Sequence, residues 1–172
     1  MKKIGLISDT HSYLDPKVFT YFKDVDEIWH AGDIGNMEVL NQLKEFKPTL
    51  AVFGNIDGGQ LRIECKEGEI FEREGVRVLI THIAGQPPRY NPKVLSYIRQ
   101  YQPRLLICGH SHILQVKPDK TNNLLFVNPG AAGKHGFHKM RTILRFGLQD
   151  GQVKNMEVVE LGLRAEIRQQ DE

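Results

Sequence analysis

Five short apolar segments constrain the fold of this chain more than any other feature of its sequence. Each is nearly continuous in hydrophobic character and lacks the strict polar alternation of a half-exposed strand. They cover residues 4–7, 27–30, 50–53, 78–81 and 105–108. This pattern is typical of strands that are covered on both faces of a sheet.

Amphipathic segments lie between several of these strands, and three of them begin with a helix-start signal. Asp15 precedes Pro16, which suits the first position of a helix, and Asn36 can cap a second helix. Asn91 and Pro92 open a third. Alternating strands and helices predict an α/β architecture.

The second half of the chain changes character and contains three hairpin patterns. Their turns lie at Gly75, at residues 118–123 and at Asp150-Gly151, and the extra antiparallel strands predict a second sheet. The chain has 172 residues, which fits a single domain over 1–172 with a real core. We expect residues 163–172 to form a charged tail that frays.

Each of the five apolar segments ends in a small polar cluster. Ligands of open α/β sheets bind beyond the carboxyl ends of the strands, so we expect these clusters to meet in space. Glycines at 32, 54 and 109 permit the sharp turns that aim the next side chain at the sheet edge. The side chains predicted to converge are Asp9, His11, Asp33, Asn55, His82, His110 and His112.

These residue types indicate a metal site. Aspartate, asparagine and histidine supply oxygen and imidazole ligands, which suit manganese, iron or zinc better than soft-metal thiolate chemistry. A carboxylate such as Asp33 can bridge two cations about 3.5–4 Å apart, a spacing common in phosphatases and nucleases.

The ordered motifs Asp-x-His, Gly-Asp, Gly-Asn-x-Asp, His and Gly-His-x-His resemble those of the calcineurin-like metallophosphoesterases. The compact length and the later Asn128-Pro129-Gly130 are similar to the small YfcE-like phosphodiesterase branch. The resemblance runs from Ile4 to about Gly133. It implies two packed mixed β-sheets flanked by helices, a four-layer α/β/β/α sandwich, and an enzyme that hydrolyses phosphate esters, above all diesters.

The resemblance also implies the ligand sets. It assigns the first metal to Asp9, His11, Asp33 and His112, and the second to Asp33, Asn55, His82 and His110. We expect two divalent transition metals, manganese first, with iron, zinc, nickel or cobalt as alternatives. A hydroxide between the metals would attack phosphorus in line.

The predicted catalytic residues are Asn55, which could orient a phosphoryl oxygen, together with His110 and Asp57. Asp57 either orients a ligand histidine or caps the turn before Gly58. His30, at a strand end, has either a packed or positioning role or a catalytic one.

One position departs from the wider family. Many members place a histidine directly after the asparagine, where it protonates the leaving alcohol, but this chain has Ile56. Positioned proton transfer is typically worth about 10²–10⁴-fold in rate. We therefore expect aryl esters to be cleaved far better than simple alkyl phosphomonoesters. The YfcE-like branch often lacks this histidine too.

Three further residues are candidate substrate contacts. His135 and His138 lie in a glycine-rich loop that could reach over the metals as proton donors or phosphate contacts. Arg89 follows two prolines and could meet a phosphate, although an ordinary surface arginine is the alternative.

Composition limits the partners. The formal charge is only +2, from 23 basic and 21 acidic residues, which does not favour extended nucleic-acid binding. No stretch approaches the roughly 18 apolar residues that cross a bilayer, and Asp9 interrupts the opening apolar segment before a signal sequence is complete. Cys65 and Cys108 lack a paired spacing, as in reduced cytoplasmic proteins. The expected partner is a small phosphate ester, and the resemblance leaves a homo-oligomer open.

Two other functions stay open. One is a protein-interaction scaffold similar to the retromer subunit of the same fold, whose metal site is degraded. The other is a nuclease or a nucleotide or dinucleotide phosphatase. Every matched ligand position in this chain holds a competent ligand, which favours an enzyme over a scaffold.

Overall fold

The computed structural model describes residues 1–165, which form twelve strands and four helices. The strands are β1 Lys2–Ile7, β2 Glu27–His30, β3 Thr49–Ala51, β4 Gly68–Arg73, β5 Val76–Thr81, β6 Gly85–Gln86, β7 Arg89–Tyr90, β8 Leu105–Ile107, β9 Leu114–Asp119, β10 Leu124–Pro129, β11 Met140–Gln149 and β12 Gln152–Leu163. The helices are α1 Lys17–Tyr21, α2 Met37–Phe46, α3 Gln60–Glu64 and α4 Pro92–Tyr101.

Ten of the strands form two five-stranded sheets. The first has the order β12-β11-β1-β2-β3, and the second has the order β4-β5-β8-β10-β9. Parallel strands lie at the centre of the second sheet and at one side of the first, and the hairpin partners are antiparallel. The five predicted strands and all three hairpins are confirmed. The five strands are nevertheless divided between the sheets, three in the first and two in the second.

Three hydrophobic clusters hold four layers together. The inner faces of the two sheets pack on each other around the fully buried Trp29. The outer face of the first sheet packs against α1, α2 and α3, and the outer face of the second packs against α4. The predicted four-layer α/β/β/α sandwich is therefore confirmed.

Two of the three predicted helix starts are confirmed. The side chain of Asn36 accepts the N–H of Val39, and that of Asn91 accepts the N–H of Val94. The first helix is shorter than its pattern indicates and begins at Lys17, so that Pro16 precedes it. Helix α3 and the β6–β7 hairpin were not predicted, because elements of five and two residues are too short to show a hydrophobic period.

The predicted frayed tail, 163–172, falls mostly outside the described residues, which end at 165. Within them, Leu163 ends β12 and Arg164 donates from its backbone to Lys139 and from its side chain to His138, so fraying does not reach these two residues. No helix of the described chain is long and apolar enough to cross a membrane.

Candidate metal centre

All seven predicted ligands meet at the carboxyl ends of the parallel strands. Six of them form two groups in which the potential ligand atoms lie within 4.8 Å of one another. The first group is Asp9, His11 and His112, and the second is Asp33, His82 and His110. The seventh residue, Asn55, completes the second group: its Oδ1 lies 3.1 Å from Nε2 of His82 and 3.0 Å from Nδ1 of His110.

Asp33 lies between the two groups. Its Oδ2 is 3.2 Å from Nε2 of His82 in one group and 3.5 Å from Nε2 of His11 in the other. A single carboxylate oxygen that faces both groups has the geometry expected of a bridging ligand. Five of the seven side chains also line one cavity of about 520 Å³, which opens to solvent.

The backbone of these strand-end turns is strained. Non-glycine residues in the left-handed region cost on the order of 1–3 kcal/mol each and cluster at functional sites. The ligand residues with positive φ are Asp9 (+53°), His11 (+44°), Asp33 (+53°), His110 (+71°) and His112 (+60°). Local propensity does not favour these conformations, so the surrounding fold must impose them.

The three glycines that were predicted to allow sharp turns are required for two different reasons. Gly32 has φ +98°, and a Cβ there would lie 2.6 Å from Nδ1 of His82. Gly54 and Gly109 do not have positive φ. A Cβ on Gly54 would overlap Oδ1 of Asp33, and one on Gly109 would lie 2.7 Å from Oδ2 of Asp9. At these two positions the need is for space and not for backbone freedom.

Two buried ligand atoms have no hydrogen-bond partner within residues 1–165: Oδ1 of Asp9 and Nε2 of His11. The other oxygen of Asp9 is well occupied, because it accepts from Ser8 Oγ at 2.7 Å and from the backbone N–H of His110 at 3.2 Å. Buried polar atoms are nearly always paired, so unpaired ones in a cluster of imidazoles and carboxylates need an explanation. A divalent transition metal satisfies both, and the residues therefore fit the metal that the sequence predicts.

The protonation states of two ligands are coupled. Burial lowers the pKa of His82, but its hydrogen bond to Asp33 and the charges of Asp9 and Asp33 outweigh burial and raise it. Burial raises the pKa of Asp33, but the hydrogen bond from His82 and its charge outweigh burial and lower it. Nδ1 of His82 lies 2.8 Å from the carbonyl oxygen of Ala31, which can only accept. Nε2 of His82 is therefore the atom that faces the site.

Asp57 positions backbone and has no histidine among its hydrogen-bond partners in the described structure. It is 2% exposed, and its carboxylate accepts the N–H groups of Ile34 at 3.0 Å, Gly35 at 2.8 Å and Gly54 at 2.8 Å. These bonds tie the loop after β2, which holds Asp33, to the loop after β3. Of the two interpretations of Asp57, this geometry does not support orientation of a ligand histidine. The hydrogen bonds between Asp57 and Gly54 instead close the turn before Gly58.

His30 has the positioning role that was one of its two interpretations. It is fully buried, its Nδ1 accepts the N–H of Gly32 at 3.1 Å, and its Nε2 lies 2.9 Å from Oγ1 of Thr10. Thr10 in turn donates to the carbonyl of Ile34 at 2.9 Å. Burial lowers the pKa of His30 to about 4, so the ring is neutral near pH 7.

The structure brings two of the three predicted substrate contacts to the site. The ring of His135 stacks on that of His11, with centroids 4.7 Å apart, and the ring of His138 meets that of His112 edge-on at 5.2 Å. Both histidines line the 520 Å³ cavity. Arg89 is exposed on β7 and is not part of this lining.

Sequence reasoning noted Asn128 only as part of a motif and gave it no role at the site. Its Nδ2 donates to the carbonyl of Gly109 at 2.9 Å and to Oγ of Ser111 at 3.1 Å, and its Oδ1 accepts from Gly130. These bonds hold the turn that carries His110. The available signal was the apolar segment 124–127, a sixth such segment that is followed directly by a polar residue.

A family model of the calcineurin-like phosphoesterase superfamily domain matches residues 1–151. The chain therefore belongs to the calcineurin-like phosphoesterases, a metal-dependent family. A probable metallophosphoesterase of Methanothermobacter thermautotrophicus is 34% identical over 135 residues, which cover 74% of this chain and 76% of the relative. A phosphodiesterase of Methanocaldococcus jannaschii is 26% identical over 145 residues, which cover 74% of this chain and 82% of the relative.

Solved structures share the fold. An archaeal phosphodiesterase aligns with a TM-score of 0.72 at 23% identity and covers 91% of this chain and 99% of its own. Wild-type Vps29 of Entamoeba histolytica, complexed with Zn²⁺, aligns with a TM-score of 0.69 at 22% identity and covers 92% of this chain and 98% of its own.

Proposed function

We propose that this protein is a phosphodiesterase that uses two divalent metal ions. The observation that carries the proposal is the position of Asp33, whose Oδ2 faces His82 of one ligand group and His11 of the other. The unpaired buried atoms Oδ1 of Asp9 and Nε2 of His11 support it further. We also propose that residues 1–172 act as one domain. A reduced cytoplasmic setting is proposed as well, since Cys65 and Cys108 are buried free thiols.

The two ligand groups have separate members and one shared member. Asp9, His11 and His112 would hold one cation with Asp33, and Asn55, His82 and His110 would hold the other with Asp33. Bound cations would supply a water of lowered pKa as the nucleophile and would offset negative charge on the phosphoryl oxygens. Manganese is the proposed metal, with iron, zinc, nickel or cobalt as alternatives for this donor set.

The chain's own residues orient the ester. Oδ1 of Asn55 faces His82 and His110, which leaves its Nδ2 to donate to a non-bridging phosphoryl oxygen. His135 and His138 close the opposite side of the cavity from the loop after β10. A diester is the proposed substrate, because the M. jannaschii relative is named a phosphodiesterase. We expect it to have a good leaving group, because Ile56 cannot protonate a poor one.

A protein-interaction scaffold is the second candidate, and the Vps29 structure favours it as far as fold is concerned. That Vps29 is complexed with Zn²⁺, so metal content alone does not separate a scaffold from an enzyme. Turnover does. The complete set of seven ligands favours the enzyme.

The decisive experiment combines metal analysis with hydrolysis of bis(p-nitrophenyl) phosphate by the manganese-loaded protein. For Asp33→Ala we expect a rate loss of about 10³-fold, because the metals contribute several kcal/mol of charge stabilisation in the transition state. We also expect fewer than two metal ions per chain. The exposed carboxylate variant Asp24→Ala is the matched control. Equal rates for wild type and Asp33→Ala would remove the bridge, and full metal content without turnover in wild type would favour the scaffold.

A further inference from the structure

The cavity that holds the ligands has an exposed apolar rim. Three large hydrophobic side chains line it beside the histidines: Ile56, Ile113 and Phe137. They are 48%, 58% and 102% exposed, respectively. Single exposed apolar residues are ordinary on protein surfaces, but several around one functional cavity mark a binding surface.

The loop that presents Phe137 is firmly held. The backbone N–H of Gly133 donates to the carbonyl of Asp9 at 3.0 Å, and Nε2 of His138 donates to the carbonyl of Gly133 at 2.9 Å. Gly136 lies so close to the ring of His112 that a Cβ would overlap Nδ1. The loop backbone therefore packs against the candidate metal ligands and places the phenyl ring of Phe137 at the rim, where it extends into solvent.

The charged side chains near the cavity do not favour a second anionic group as the natural occupant of this rim. Within residues 1–165, the cavity lining contains no lysine or arginine. Lys134, in the same loop, places its ammonium 4.4 Å from the ring centroid of Tyr13. Arg62 donates to the carbonyl of Asp57, covers Phe53 and lines a neighbouring cavity of about 290 Å³. A distal phosphate would therefore meet no lysine or arginine at this rim, whereas an apolar group can pack against its three apolar side chains.

We propose that the rim binds a flat apolar group, an aryl ring or a base of similar shape, on the non-leaving oxygen of the diester. The group packs on the exposed ring of Phe137, with Ile113 lining the cavity beside it. This inference rests on the proposed phosphodiesterase function and names the substrate class for that site.

Two diesters with the same leaving group test the proposal: phenyl p-nitrophenyl phosphate and methyl p-nitrophenyl phosphate. We expect the manganese-loaded wild type to prefer the phenyl ester in kcat/KM. Phe137→Ala should lower the rate on the phenyl ester by about two- to tenfold, the usual value of one aromatic pair, and leave the methyl ester within about twofold. Phe137→Tyr should keep the preference. Val158→Ala, which removes an exposed side chain on β12, is the control.

A binding measurement accompanies the kinetics. Calorimetry of phenylphosphonate and methylphosphonate on the loaded proteins should show the same preference in wild type and its loss in Phe137→Ala. An unchanged phenyl-to-methyl ratio with both esters still hydrolysed overturns this inference and leaves the phosphodiesterase intact. Absence of hydrolysis of both esters by the loaded wild type overturns the proposed function and the inference with it. If Phe137→Ala instead separates a dimer into monomers and the ratio is unchanged, the rim binds a second copy of this chain.

Discussion

The site has two regions. In the wall, which we define as the strand-end loops that carry the candidate metal ligands, backbone and neighbouring side chains hold those ligands on several sides. At the rim, the apolar side chains face solvent. Asp9 is fully buried, and its Oδ2 accepts two hydrogen bonds. The loop after β1 is also bonded to the loop after β2, since the N–H groups of Asp9 and His11 donate to the carbonyls of Gly32 and Asp33. Phe137, by contrast, is 102% exposed.

This difference separates chemistry from specificity. The wall contains residues with left-handed backbone. It also contains glycines at which an added Cβ would overlap a neighbouring atom. The rim side chains of Ile56, Ile113 and Phe137 are 48%, 58% and 102% exposed, so their substitution removes fewer contacts. We infer that substitutions at the wall remove activity, while substitutions at the rim change which ester is used.

The largest expected effect concerns Ile56, which stands at the rim where a proton donor would act. Its backbone N–H donates to Oδ1 of Asp33 at 3.1 Å, but its side chain carries no proton. We expect aryl diesters to exceed simple alkyl monoesters by at least the roughly 10²–10⁴-fold that a positioned acid supplies. The measurement is kcat/KM for a series of esters of increasing leaving-group pKa.

Ile56→His sharpens that test. It should make the rate depend less on the leaving group and raise the alkyl rate selectively. Alkyl monoesters that turn over in wild type as fast as aryl diesters would show that another residue donates the proton.

Gly54→Ala tests the wall next. Its Cβ would overlap Oδ1 of Asp33 and displace the proposed bridge, and a misplacement of about 1 Å can cost about 10²-fold in rate. Gly58→Ala is the matched control, because it adds the same methyl group in the same loop with no atom within 4 Å. The measurements are bis(p-nitrophenyl) phosphate turnover and metal content. Similar losses in the two variants would mean that the loop as a whole is sensitive, and not the contact with Asp33.

Sequence alone predicts much of the wall and little of the rim. The strand ends can be predicted because each buried strand is a continuous apolar segment followed by a polar residue. For example, Ile7 is followed by Ser8 and Asp9. The helix caps at Asn36 and Asn91 are equally local signals.

Other features depend on contacts between distant residues. The division of five strands between two sheets depends on long-range pairing, such as that of β1 with β11 near the end of the chain. The contact of Gly54 with Asp33 follows from the packing of two loops. Phe137 lies in an irregular loop without a hydrophobic period, so no pattern in the sequence distinguishes it from a buried phenylalanine.

Asp57→Asn tests whether hydrogen bonds to backbone hold the wall. The carboxylate accepts three N–H groups, and an amide in its place must leave at least one buried donor unpaired or opposed by its own N–H. We expect the free energy of unfolding to fall by about 1–3 kcal/mol. Metal affinity should weaken by about 10- to 100-fold, as for other groups that position ligands. Denaturant titration and metal binding measure both, with the exposed Asp24→Asn as control. Weaker metal binding without a loss of stability would place Asp57 nearer the chemistry than its contacts indicate.

His30→Gln has the smallest effect at neutral pH, because glutamine can also accept from Gly32 and donate toward Thr10. Burial lowers the pKa of His30 to about 4, below the value near 6.5 of the unfolded chain. The stability that the neutral ring contributes is thus complete above pH 6.5 and is lost as the pH falls toward 4. The loss is about 2 kcal/mol by pH 5.

Unfolding of the metal-free protein in chelator, followed from pH 7 to pH 5, should therefore show a shallower decline for His30→Gln than for wild type. Lys120→Gln, which introduces the same side chain at an exposed position away from the site, is the control, and we expect its decline to follow that of wild type. Parallel curves for wild type and His30→Gln would mean that the ring accepts a proton in place, and that the wall of the cavity is less rigid than its hydrogen bonds imply.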